Sequence, residues 1–138
     1  MRPTFIMTPE EFYHTVRPAL DSGRAVSFPA TGRSMLPFIR HGMTVTLRQS
    51  PSYFPGDVVL AITSPRRRAV LHYIVKADRH GYTLMGAGNL VQTEWCRRED
   101  VAARVDTPIL NRKRILLWHR LLPLRRYFLW LYRRKGDL

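Results

Sequence analysis

The sequence predicts a mainly β domain held between two helical ends, on three observations. Between residues 25 and 106, short apolar or alternating runs follow one another, separated by Pro and Gly. Ahead of them, Phe12, Val16, Ala19 and Leu20 recur at helical spacing. Behind them, Leu, aromatic residues and Arg dominate, and Pro123 splits the run into two short helical pieces. The chain therefore divides into an N-terminal helix over 1–24, a β-domain over 25–106 and a basic amphipathic helical tail over 107–138. With 138 residues it has the length of one domain with a modest core.

The N-terminal helix has a clear start. Thr8 caps it, Pro9 suits the first helical position, and Glu11 completes a capping box. Met7 and Phe12 are placed as a hydrophobic staple, Gly23 offers a stop, and Pro18 predicts a kink in the last turns. Strands are predicted over 25–28, 44–47, 58–62, 69–75 and 82–85, punctuated by Pro51, Pro55-Gly56, Pro65, His80-Gly81 and residues 86–89. Arg66, Arg67 and Arg68 fall in a turn, as a solvated hairpin tip or a minor anion contact.

Charge is the compositional anomaly. The formal net charge is +13, and residues 110–138 hold nine Lys/Arg against one acid. With Trp118, Phe128, Trp130 and Tyr132 among the arginines, this tail suits an interfacial helix on an anionic membrane. The same residues suit packing on the β-domain or on a partner. Nucleic acid is unlikely, because no helix-turn-helix, RNA-binding signature or zinc module accompanies the basicity. No apolar run approaches the roughly 18 residues of a spanning helix, and residues 1–7 lack a secretory h-region. The expected location is cytoplasmic, peripheral on the inner face of the membrane if the tail binds lipid. The single cysteine, Cys96, leaves the redox compartment open.

The residues that suggest chemistry lie in the β-domain. Gly32-Arg33-Ser34-Met35-Leu36-Pro37 puts a serine between a glycine and a proline, in a stiff turn between predicted strands. Gly56-Asp57-Val58-Val59, Val70-Leu71-His72-Tyr73-Ile74-Val75, Gly86-Ala87-Gly88-Asn89 and Arg98-Glu99-Asp100-Val101 follow. In this order and spacing, residues 25–106 resemble the serine peptidases of the type I signal peptidase and LexA-repressor clan. The resemblance implies a β-ribbon or barrel-like sheet and serine endopeptidase activity on an extended peptide or protein segment. Acyl transfer would run through Ser34. The context of His72 matches the histidine-base branch of the clan, with Tyr73 where an arginine is usual, so His72 is the expected general base.

Lys76 is the alternative base, since residues 72, 74 and 76 share a strand face if the strand is regular. The clan's first loop aspartate is replaced by Ala87. Glu94 is the carboxylate near the later acidic position, able to orient His72 after a one-residue shift in the loop, or else simply an exposed acid beside Trp95. Gly32 stands where many signal peptidases carry a second serine for the oxyanion hole, which leaves the Ser34 backbone N–H as the expected donor. No cofactor is implied, and no His/Cys/carboxylate cluster has metal-ligand spacing. Two alternatives remain beside the peptidase: a non-catalytic peptide-binding module on the same fold, and a membrane-surface adaptor.

Overall fold

A computed structural model describes residues 7–31, 35, 37–87, 92–106, 111–121, 124, 130 and 131. Helix α1 (Pro9–Asp21) begins as expected, with the Glu11 N–H donating to Thr8 Oγ1 at 3.1 Å. The helix runs through Pro18 and ends on a turn at Gly23. There a φ of 88° suits glycine, and the Gly23 and Arg24 N–H groups cap the carbonyls of Leu20 and Ala19.

Seven strands follow: β1 (Val26–Pro29), β2 (Thr44–Arg48), β3 (Val58–Ile62), β4 (Ala69–Ala77), β5 (Gly81–Met85), β6 (Glu94–Arg97) and β7 (Val101–Val105). All pair antiparallel in one sheet of order β1-β2-β7-β3-β4-β5-β6. The mainly β class with a helix at each end is thus observed. The barrel-like closure is corrected, because β1 and β6 are edges that do not pair, and the sheet is open.

Strand alternation builds a core on each face. Val45, Leu47, Leu60, Tyr73 and Val105 pack with Tyr13, Val16 and Leu20 of α1. On the other face Val59, Ala61, Ile74, Leu84 and Cys96 cluster. Burial pushes the Cys96 thiol up to about 12, so this cysteine is an inert core residue rather than a nucleophile.

The tail begins with a docked helix, α2 (Arg112–Arg120), capped by the Asn111 side chain on the Arg114 N–H. Ile115 and Trp118 enter the α1-side core. The buried Asp57 carboxylate receives Arg112 Nε at 2.7 Å and the Phe54 N–H at 2.8 Å, while the same guanidinium lies over the Phe54 ring. Gly56 makes this approach feasible: its φ is 92°, and a Cβ would sit 2.9 Å from the Arg112 backbone. Tyr73 is fully buried with its hydroxyl 2.9 Å from His119 Nδ1. Of the alternatives for the tail, packing on the β-domain therefore holds for residues 111–121. No helix among the described residues is long and apolar enough to cross a membrane.

Candidate active site

His72 lies in the middle of β4, opposite Val59 of β3. The neighbouring strand β5 ends at Met85, opposite Tyr73, one residue short of His72. Past that end the imidazole meets Glu94, the first residue of β6. The pairing Ile74↔Leu84↔Glu94 puts Glu94 on the sheet face that carries Ile74 and His72. His72 Nδ1 and Glu94 Oε1 are 3.2 Å apart, so the carboxylate reaches the imidazole. The distance is that of an ion pair, but the alignment is not that of a hydrogen bond, and Nδ1 is buried without one.

Burial lowers the His72 pKa below its ordinary value of 6.5. Glu94 pulls it up, Arg68 adds to the lowering, and burial prevails. The imidazole is therefore neutral at pH 7 and able to accept a proton. With Nδ1 toward Glu94, Nε2 is the nitrogen left for that task.

Lys76 is elsewhere. The ladder shifts between Ile74 and Lys76, so that Ile74 pairs with Leu84 but Lys76 with Thr83. This bulge turns Lys76 to the opposite face from His72, where it is exposed. The regular strand that a shared face requires is absent.

Ala87 is completely buried. Its N–H donates to Met35 Sδ at 3.3 Å and its carbonyl accepts from Trp118 Nε1 at 2.8 Å. A carboxylate at this position would be enclosed by apolar groups. Ala87→Asp is accordingly expected to destabilise the fold by about 2–4 kcal/mol rather than restore a third catalytic residue. Urea denaturation followed by circular dichroism checks this.

His72 and Glu94 open onto a cavity of about 590 Å³ between α1, β1 and the start of β4. Phe12, Phe28, Ile39, Leu60 and Leu71 supply most of its apolar wall. Thr31 and Met35, the described residues on either side of positions 32–34, line it as well. Ser34 itself, and Gly32 with the expected oxyanion donor, lie outside the described residues. No group of His, Cys, Asp and Glu suited to a metal occurs among the described residues. Sequence reading did not anticipate that α1 would form a wall of this cavity. The signal was the run Met7 to Phe12, which reads as a cap and staple but also presents Pro9 and Phe12 to the cavity.

Compared with known proteins, the chain matches no family model and no curated protein.

Proposed function

We propose that the protein is a serine endopeptidase that cleaves an extended peptide or protein segment. The observation that carries this reading is the buried, neutral His72 beside Glu94, on a cavity whose wall includes both described flanks of the Ser34 turn. A serine hydroxyl needs a neighbouring base to become a nucleophile. In the proposed reaction His72 Nε2 takes the Ser34 Oγ proton as that oxygen attacks the peptide carbonyl. Glu94 stabilises the imidazolium and holds its orientation. The imidazolium then returns its proton to the leaving amine, and water releases the acyl-enzyme by the same base. Ser34 and the oxyanion role of its backbone N–H are assigned from the sequence.

Labelling with a fluorophosphonate tests the nucleophile directly. The adduct is expected on the tryptic peptide containing Ser34, and Ser34→Ala is expected to abolish both labelling and cleavage. Cleavage undiminished in Ser34→Ala, with contaminating proteases excluded, removes the assignment.

The membrane reading of the tail now concerns the residues after Leu121, since residues 111–121 are docked. Leu124 and Trp130 are 53% and 54% exposed, in a stretch whose arginines suit an anionic lipid surface. Reversible attachment there would hold a cytoplasmic peptidase on the inner face of the membrane.

A further inference from the structure

We propose that the cleft selects an extended peptide carrying a bulky apolar residue beside Leu71, at the His72 end, and an acidic residue about three positions away, against Arg68. This rests on the peptidase reading only in taking a peptide as the ligand.

The backbone of β4 supplies the seat. The Thr63 N–H bonds the Arg68 carbonyl, and the Ile74 N–H bonds the Asp57 carbonyl. Residues 68, 70, 72 and 74 therefore direct their backbone groups to β3, and Ala69 and Leu71 direct theirs to the opposite edge. On that edge β5 reaches only as far as Tyr73. Glu10 of α1 already takes the Ala69 N–H, at 3.1 Å. Leu71, one residue from the imidazole, keeps an N–H and a carbonyl that no strand among the described residues covers. An added peptide strand satisfies both.

The side-chain preferences follow from what surrounds that seat. Phe12 and Phe28, with ring centroids 4.6 Å apart, face Leu60, Leu71 and Ile39 around a cavity of about 590 Å³. An alanine methyl leaves most of this volume unfilled, whereas Leu or Phe fills it and removes apolar surface from water. Arg68 lines the same cavity, is exposed, and has no ion-pair partner among the described residues. The exposed Arg66 and Arg67 adjoin it, on a chain of net charge +13. Leu71, on the face of the apolar wall, stands three positions from Arg68, which is on the opposite face, about 10 Å along the strand, and this sets the spacing of the acidic residue.

Full-length His72→Ala protein, unable to consume its ligand, is titrated by fluorescence anisotropy with labelled decapeptides from a positional library. Peptides with Leu or Phe at the selected position are expected to bind at least about tenfold tighter than those with Ala. Glu three positions away is expected to bind tighter than Lys, by a margin that shrinks with added salt. Arg68→Glu is expected to invert that second preference. Equal binding of Leu and Ala peptides overturns the pocket, and an unchanged Glu preference in Arg68→Glu overturns the charge assignment. Absence of peptide binding by folded protein overturns both. Selective binding by a protein whose wild-type form labels no serine leaves this inference standing and removes the peptidase.

Discussion

His72→Ala is expected to lower peptide turnover by about 10²–10⁴-fold, the range over which a positioned base contributes. Substrate affinity should change far less, because in the proposed reaction the imidazole acts on the Ser34 proton and not on the peptide's side chains. Glu94→Gln should keep the shape of the site while removing the charge that stabilises the imidazolium. It is expected to reduce kcat well beyond any change in KM. Wild-type kinetics in Glu94→Gln would leave a Ser-His dyad.

The pH dependence has a definite sign. The His72 pKa lies below 6.5, so the base is competent at neutral pH and is lost only as pH falls through that lowered value. The acidic limb of the rate profile should therefore lie below pH 6.5, lower than for a solvated histidine. Stability follows the same direction. The unfolded chain binds a proton near 6.5 and the folded chain does not, so folding weakens as pH drops below about 6.5 and continues to weaken down to the folded-state pKa. His72→Gln should flatten that dependence. A rate limb above pH 7 would contradict the buried, neutral imidazole.

Trp118→Ala is expected to cost about 3–5 kcal/mol, the range for removing a large aromatic side chain from a core. Trp118 packs with Ile115 in the main core, sets its ring edge-on to Phe38 at 6.0 Å, and donates its indole N–H to the Ala87 carbonyl. Trp118→Phe separates these contributions. It keeps most of the packing and removes the indole's hydrogen bond to the Ala87 carbonyl, at about 0.5–1.5 kcal/mol. Chemical denaturation of the full-length variants measures both.

Truncation extends the same test. A chain ending at Asp106 loses Ile115, Trp118 and the Arg112 partner of buried Asp57, and is expected to unfold or precipitate. A chain ending after Leu121 keeps all three and should remain folded. Comparing that chain with full-length protein on anionic vesicles then tests lipid binding without disturbing the domain. Equal sedimentation of the two would reject the membrane role.

The local patterns of this sequence identified most of the elements, and what they missed depends on distant partners. The alternation of 44–47 and the apolar run of 58–62 each became a strand because one or both faces are covered. Strand β6 escaped notice. It has four residues and charged ends, and its place is set by a close approach at Gly81, where a Cβ would collide with the Cys96 carbonyl and the Trp95 ring. The bulge before Lys76 was equally hidden, since register against β5 decides it and no feature of residues 72–76 does.

The site was legible in part for the same reason. His72 stood out through its neighbours in sequence. Glu94 was found only as a nearby acid, and its contact with His72 depends on where β5 stops. Docking of α2 was one of several readings of the tail, and its contacts were not legible. Arg112, Trp118 and His119 look like elements of a basic aromatic tail, and only their partners Asp57, Ala87 and Tyr73 make them core and clamp.

The Ala87 peptide unit, held by Met35 on one side and Trp118 on the other, also bears on how the protein is made. Chains leave the ribosome from the N-terminus, so of these three residues the indole emerges last. A nascent chain can pair β4 with β5 and bring His72 toward Glu94 while Met35 and the Ala87 carbonyl still lack their cover. The bond from the Trp118 indole to the Ala87 carbonyl forms only when α2 arrives. On the peptidase reading proposed above, a half-made chain would carry the His72 side of the cleft before the contact between Trp118 and Ala87 closes behind it.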